Sequence, residues 1–184
     1  MSTGRLIYLM GASGSGKDSV LRYARAKLDG RCKLLVAHRY VTRPPDMGHE
    51  NYVSLSEGEF DLRRDNGLFL LDWNAHGIRY AVGLEVGIWL SHGMSVIMNG
   101  SRACFQEAAA RHPDMLPILI DVPPATLRQR LEARGRETQA EIEARLRRAD
   151  AVTIEHPALR RIDNSGPIEL AGAELLQILM SATS

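Results

Sequence analysis

The sequence predicts an α/β fold of three layers, in which a parallel sheet of five strands lies between two layers of helices. Short apolar runs alternate with amphipathic stretches along most of the chain, a pattern typical of βαβ units. The chain has 184 residues, of which 45% are hydrophobic and 24% are charged. This size and composition favour one compact domain over residues 1–184 with a substantial core.

Composition also narrows the class of function. A formal net charge of +1 argues against a nucleic-acid partner. Cys32 and Cys104 are far apart and lack the spacing of a zinc site or a disulfide framework. The chain has no apolar stretch of 18 residues and no secretory leader, so we expect a cytoplasmic protein without a membrane partner. Small-molecule substrates are the expected partners, and the oligomeric state is left open between monomer and homodimer.

The apolar runs locate the elements of the core. The five strands are predicted at residues 6–10, 33–37, 95–98, 116–121 and 160–164. Helices are predicted near residues 17–29, 84–92, 102–111, 125–133 and 168–180. A further helix is expected after Thr138, because Thr138 and Glu141 have the spacing of a capping box. Residues 38–84 are rich in turn residues and short alternations, which predicts a small, largely β insertion.

A phosphate-binding loop is predicted between the first strand and the first helix. The sequence GASGSGK at 11–17 fits the pattern GxxxxGK and follows an apolar run. In such a loop, backbone N–H groups and the helix N-terminus surround phosphates, and the lysine reaches the outer ones. A flexible Gly/Ser linker would not sit between a strand and an amphipathic helix. The predicted nucleotide-binding residues here are Gly11, Ala12, Ser13, Gly14, Ser15, Gly16, Lys17, Asp18 and Ser19.

Asp18 departs from the usual loop, which has Ser or Thr after the lysine as a magnesium ligand. The carboxylate could bind Mg²⁺ directly or through water, or it could orient an acceptor. It could also simply complement the helix dipole. These roles remain open at the level of sequence, and Mg²⁺ binding is the working hypothesis.

Several segments together resemble the guanylate-kinase branch of the P-loop kinases. Besides the loop, they are TRPP at 42–45 with Gly48, YVS at 52–54, GLFLLDW at 67–73, HGIRY at 76–80, and Arg-Leu at 130–131 with Arg-Gly at 134–135. The resemblance implies a P-loop kinase fold with an acceptor-binding insertion at 38–84 and a helical lid at 134–141. It also implies ATP and Mg²⁺ as donor and cofactor.

Four departures from guanylate kinase concern the acceptor and metal sites. Asp18 stands where guanylate kinases have Ser or Thr, Asp46 where they have Arg, and His49 where they have Glu. Asn99–Arg102 replaces their acidic magnesium region. The combination GxSGSGKDS, TRP, FLLDW and VIMNGSRA instead resembles the ribose 1,5-bisphosphate phosphokinases of phosphonate degradation. That resemblance implies ATP-dependent conversion of ribose 1,5-bisphosphate to 5-phosphoribosyl 1-diphosphate (PRPP) with release of ADP.

Two other functions remain as alternatives. One is a guanylate or other nucleoside-monophosphate kinase, which would share the donor site, fold and lid. The other is a noncatalytic binding module with the guanylate-kinase fold. The module is less favoured, because a scaffold has no need of the loop lysine Lys17.

The resemblance also implies roles for individual residues. Lys17, Asp18, Arg130 and Arg134 are the expected catalytic residues, and the expected lid arginines are Arg134, Arg136 and Arg145. The expected acceptor-binding residues are Arg43, Tyr52, Asp72, Tyr80 and Arg102, and Asn164 is expected at the adenine. For the arginines, the alternative is a solvated helix face paired with Glu132, Glu141 and Glu143.

Overall fold

The structure is a computed structural model, which describes residues 4–28, 30, 32–44, 51–75, 77–135 and 137–183. Its strands are β1 (Leu6–Gly11), β2 (Leu34–Val36), β3 (Arg39–Val41), β4 (Tyr52–Ser54), β5 (Phe69–Ala75), β6 (Ile78–Gly83), β7 (Ser95–Asn99), β8 (Leu116–Asp121) and β9 (Arg160–Asp163). Its α-helices are α1 (Lys17–Leu28), α2 (Glu57–Asp65), α3 (Glu85–Ser91), α4 (Phe105–Arg111), α5 (Pro124–Arg134), α6 (Gln139–Asp150) and α7 (Ile168–Ala182). A 3₁₀ turn at Arg102–Cys104 precedes α4.

The core sheet contains five parallel strands in the order β2-β7-β1-β8-β9. These are the five predicted strands, so the predicted α/β fold is confirmed. Tyr8 and Met10 of β1 pack on one face of the sheet, while Ile7 and Leu9 pack on the other with α1 and α7. All four side chains are fully buried. Strands covered on both faces require such continuous apolar runs, which is why the sequence located them well.

The predicted β-rich insertion forms a second sheet of four strands in the order β4-β3-β6-β5. It also contains α2, which the sequence prediction lacked. Ser56 caps this helix by accepting a hydrogen bond from the Glu59 amide at 3.1 Å. Arg79 of β6 contacts Glu57 at 3.0 Å and Asp61 at 2.6 Å, which ties α2 to the sheet.

Helices α5 and α6 flank and overlap residues 134–141, the segment that the resemblance assigns to the lid. Gly135 ends α5 in the left-handed conformation, with φ of 61°, as a C-terminal glycine typically does. The predicted capping box is confirmed, because Thr138 and Glu141 each bond the other's backbone amide at the start of α6. Leu127 and Leu131 of α5 pack against Ile142 and Leu146 of α6. The two helices therefore share a small apolar core beside the phosphate loop.

No helix in the described part of the chain is both long enough and apolar enough to cross a membrane.

Candidate active site

The phosphate loop connects β1 to α1 and depends on two glycines with positive φ. Gly14 has φ of 95° and Gly16 has φ of 85°, conformations that other L-residues rarely adopt. A Cβ on Gly16 would lie 2.5 Å from Asn164 Nδ2, so the loop also needs glycine there for space. The Ser15 amide donates to the Ala12 carbonyl at 3.0 Å, which closes the turn before α1 begins at Lys17.

Arg130 and Asn164 hold the loop from behind. Asn164 Nδ2 donates to the Ser15 carbonyl at 2.7 Å, and an Arg130 guanidinium nitrogen donates to the same oxygen at 3.2 Å. Arg130 also donates to the Asn164 carbonyl at 2.6 Å. Asn164 is only 2% exposed, so the structure places it beneath the loop, where it positions backbone that surrounds phosphate. The expected contact of Asn164 with the adenine stays a prediction, whereas its bond to the phosphate loop was not anticipated.

Asp18 lies between charged and polar side chains at the start of α1. Its carboxylate is 3.2 Å from the Lys17 ammonium and accepts a hydrogen bond from Asn99 Nδ2 at the end of β7. Burial would raise the pKa of Asp18, but the nearby charges of Lys17 and Arg39 and these hydrogen bonds outweigh it and lower the pKa below its ordinary value. Asp18 is therefore ionised at neutral pH and is a suitable hard ligand for Mg²⁺.

Asp18→Asn is expected to raise the Mg²⁺ concentration that gives half-maximal rate, by roughly tenfold, because a neutral amide is a weaker magnesium ligand than a carboxylate. The measurement is a magnesium titration of initial rate at saturating ATP and pH 7.5. The lowered pKa of Asp18 keeps the carboxylate ionised above its ordinary pKa of about 4, so the difference should persist from about pH 6 to 9. An unchanged magnesium requirement would assign Asp18 to the helix dipole or to the acceptor instead.

Arg134 and Arg145, the two expected lid arginines within the described residues, have different positions. Arg145 of α6 donates to the Ser13 hydroxyl of the phosphate loop at 2.6 Å and pairs with Glu137 at 2.7 Å. Arg134 is exposed at the end of α5. Arg136 lies outside the described residues. Arg128 of α5 instead forms a surface ion pair with Glu143 of α6, at 2.5 Å. Such a pair with a glutamate was the alternative role considered for the arginines of these helices.

Arg43 and Tyr52 lie together on the insertion. The Arg43 guanidinium carbon lies 4.7 Å from the centre of the Tyr52 ring, and the Tyr52 hydroxyl donates to the Pro44 carbonyl at 3.0 Å. Tyr80 of β6 stacks on the Trp73 ring at 5.7 Å with an interplanar angle of 9°. Asp72 precedes Trp73 on β5 and is exposed. Asp46, His49 and His76 lie outside the described residues.

Arg102 does not join this acceptor group. It donates to the Ala149 carbonyl at the end of α6 at 2.9 Å, and it lines a cavity of about 480 Å³ with Asp121 and Arg161. Burial lowers the pKa of its guanidinium. Arg102 therefore links the turn after β7 to α6, and its contact with the acceptor stays a prediction.

Several curated proteins, all of which share one name, match the chain over most or nearly all of its length. The ribose 1,5-bisphosphate phosphokinase PhnN of Desulfomicrobium baculatum is 50% identical over 179 residues, which cover 97% of this chain and 96% of that protein. The proteins of this name from Dickeya zeae and Burkholderia pseudomallei are 50% and 47% identical, over 89% and 97% of this chain and 87% and 97% of their own lengths.

This chain belongs to the ribose 1,5-bisphosphate phosphokinase family. No protein-family model matches it. Among solved structures, guanylate kinase from Anaplasma phagocytophilum has a similar fold, with a TM-score of 0.73 at 17% identity over 99% of this chain and 87% of that chain. The family and the fold that the motifs indicated are thus both confirmed.

Sequence reasoning missed Arg39 as a site residue of this phosphokinase. Arg39 is the first residue of β3 and is only 9% exposed, yet its charge acts on Asp18 of the phosphate loop. Its guanidinium carbon also lies 5.5 Å from the centre of the Tyr80 ring. The sequence signal was the position of Arg39 three residues before the TRP motif, but burial of an arginine cannot be read from sequence alone.

Proposed function

We propose that this chain transfers the γ-phosphoryl group of ATP to the 1-phosphate of ribose 1,5-bisphosphate and releases PRPP and ADP. An oxygen of the acceptor phosphate attacks the γ-phosphorus, and the bond from that phosphorus to the β–γ bridging oxygen breaks. The observation that carries the proposal is sequence identity with relatives named ribose 1,5-bisphosphate phosphokinase PhnN. These relatives are 47–50% identical to this chain over 97% of its length, and the matched part covers 96–97% of their own length.

The donor side suits ATP through the loop between β1 and α1. Lys17 and the loop backbone would hold the β- and γ-phosphates, with Ser15 fixed from behind by Asn164 and Arg130. Kinases of this kind use Mg²⁺, which neutralises charge on the phosphates. Among the described residues there is no group of three or more His, Cys, Asp or Glu that could hold a metal ion. Asp18, whose carboxylate has a lowered pKa, would bind Mg²⁺ directly or through water. The other ligands of the ion would be phosphate oxygens and water, as is usual for Mg²⁺.

The acceptor needs positioning more than activation. A phosphate oxygen is already anionic near neutral pH, so no general base is required for the attack. Arg43 can bind a phosphate through two parallel hydrogen bonds, and Tyr52 and Tyr80 add hydroxyl groups on the same sheet. Asp72, exposed on β5, could accept hydrogen bonds from ribose hydroxyls.

The lid arginines would neutralise the charge that spreads over the transferring group. Arg145 already contacts the loop through Ser13, and Arg130 contacts it through Ser15. Arg134 is one turn beyond Arg130 on α5 and would approach the phosphates when the lid closes. This arrangement supplies several cations around one phosphoryl group, as transfer to a phosphate acceptor demands.

Product analysis tests the proposal directly. Purified protein with MgATP and ribose 1,5-bisphosphate should form a diphosphate ester and ADP in equal amounts, which phosphorus NMR and coupled ADP measurement detect. A reaction without ribose 1,5-bisphosphate controls for ATP hydrolysis. ADP formation without the diphosphate ester would overturn the proposal.

A further inference from the structure

Asn99 ends β7 beside the phosphate loop. Strands β1 and β7 pair in parallel with Leu9 opposite Asn99, and β1 runs directly into the loop. The Gly100 amide donates to the Leu9 carbonyl at 2.8 Å, which holds the end of β7 against β1. The Asn99 side chain is only 6% exposed. It is therefore a buried polar group at the edge of the sheet where the donor phosphates would lie.

The two ends of the Asn99 amide have different surroundings. Nδ2 donates a hydrogen bond to Asp18 Oδ1. The carboxylate fixes this orientation of the amide, because an amide oxygen facing it would be repelled. Oδ1 is buried and has no hydrogen-bond partner among the described residues. A buried acceptor without a partner costs free energy, so Oδ1 indicates a ligand that brings a donor.

The space beside Asn99 limits the size of that donor. Asn99 and Asp18 line the same small cavity, which lies between α1 and the segment that joins β2 to β3. Its volume is about 60 Å³. A water needs at least about 10–15 Å³, so the cavity has room for a few water molecules. Pockets for drug-sized ligands start near 300 Å³, so water suits this cavity better than a sugar or a base does.

A magnesium ion brings water molecules of this kind. Mg²⁺ loses water reluctantly and usually keeps several waters beside one or two carboxylates and phosphate oxygens. A water whose oxygen is bound to the ion can only donate hydrogen bonds, so each such water needs an acceptor nearby. Asn99 Oδ1 is an acceptor next to Asp18, the carboxylate that the proposed function assigns to the ion.

The contacts of the Asp18 carboxylate divide between its two oxygens. Oδ1 accepts from Asn99, whereas Oδ2 lies 3.2 Å from the Lys17 ammonium. Lys17 would turn toward the donor phosphates when a nucleotide binds, which leaves Oδ2 without its cation. Asn99 still holds Oδ1 in that state. Oδ2 can then exchange the ammonium for Mg²⁺ while the carboxylate keeps its orientation.

We propose that Asn99 is a positioning residue for the magnesium ion: Nδ2 orients the Asp18 carboxylate, and Oδ1 accepts a hydrogen bond from a water bound to the ion. The inference rests on the proposed function, because it takes the Mg²⁺ and the nucleotide from it. It adds a second residue to a site with a single carboxylate. Asn99 does so without adding negative charge beside the phosphates.

The test measures metal binding without turnover. Wild type and Asn99→Leu are each saturated with a nonhydrolysable ATP analogue and titrated with Mn²⁺, and electron paramagnetic resonance gives the free Mn²⁺. Asn99→Leu should raise the Kd for Mn²⁺ by at least about tenfold, the scale of losing a group that supports a metal ligand. The Kd for the analogue in EDTA should stay within about threefold of wild type, because Asn99 acts on the ion.

Asn99→Asp separates this role from a structural one. The aspartate keeps an acceptor oxygen at this position and adds a charge that attracts the cation, although it loses the donor to Asp18. Its Kd for Mn²⁺ should therefore stay within about threefold of wild type or become tighter. Asn99→Ala removes the same two groups without adding bulk, and it serves if Asn99→Leu does not fold. It should raise the Kd at least about threefold.

Asn51→Leu is the matched control. Asn51 lines the same cavity, but it is exposed and its Nδ2 donates to the Val36 carbonyl at 3.4 Å. The Kd for Mn²⁺ should not change in this variant.

Two results would overturn the inference. One is an Asn99→Leu variant that binds Mn²⁺ as wild type does, and the other is an Asn99→Asp variant that binds it as weakly as Asn99→Leu. Because no acceptor is present, both results leave the proposed reaction standing. Failure of the wild type to form PRPP would instead overturn the proposed function without changing the Mn²⁺ affinities.

Discussion

Wild-type protein with MgATP is expected to use ribose 1,5-bisphosphate with a kcat/KM at least about 10³-fold above that for GMP. A site that hydrogen-bonds a particular substrate rejects an analogue that leaves its buried polar groups unmatched by about this much or more. Asp46 and His49 stand where guanylate kinases have Arg and Glu, so GMP would lack phosphate and base contacts that those enzymes provide. Initial rates with each acceptor at several concentrations give the two constants.

dGMP, AMP and UMP complete the comparison, because they separate a preference against guanine from a preference against nucleotides in general. All four nucleotides should be poor acceptors. Turnover of GMP equal to or better than that of ribose 1,5-bisphosphate would make the chain a nucleoside-monophosphate kinase.

Lys17→Ala should lower kcat by about 10²–10³, the usual cost of removing one preorganised electrostatic group from a transition state. The Lys17 ammonium contacts the Asp18 carboxylate at 3.2 Å and lies outside the apolar core clusters, so the fold should persist. In the variant, Asp18 would lose its nearest cation and would repel the donor phosphates more strongly. Single-turnover rates and circular dichroism measure the two effects.

Lys27→Ala is the matched control for this substitution. Lys27 lies on the same helix and is exposed, with its ammonium 5.0 Å from the centre of the Tyr23 ring. Its loss should leave kcat unchanged. A Lys17→Ala variant with a kcat within a factor of three of wild type would mean that the loop is not the donor site.

The core of this fold could be predicted because its buried segments can be recognised from their apolar residues. Strands covered on both faces must be apolar throughout, so the runs at β1, β7 and β8 gave their positions almost to the residue. Hydrogen bonds between residues close in sequence could also be predicted, as in the capping box of Thr138 and Glu141. Helix α2 was missed although Ser56 and Glu59 have the same spacing, because the surrounding turn residues favoured strands.

The site was harder to predict, because its geometry depends on contacts between distant segments. Asn164 is 149 residues from Ser15 in sequence, and nothing near Asn164 indicates that its amide would point under the loop. Arg39 looks like an ordinary charge at the start of a strand. Its burial results from the way the insertion packs against α1 and β7, which no local pattern records.

The bond between Asn164 and Ser15 also bears on how the protein is made in the cell. β1 leaves the ribosome before its sheet partners β7 and β8, which are synthesised about 90–110 residues later. The nascent chain therefore holds this apolar strand unpaired until those partners have been made, and contacts of such long range slow folding. Because Asn164 follows β9, the loop acquires its braced form only after the last strand of this sheet has been translated. Nucleotide binding would then become possible only after Asn164 has been made, and a truncated product lacking β9 and α7 would be a poor competitor for ATP.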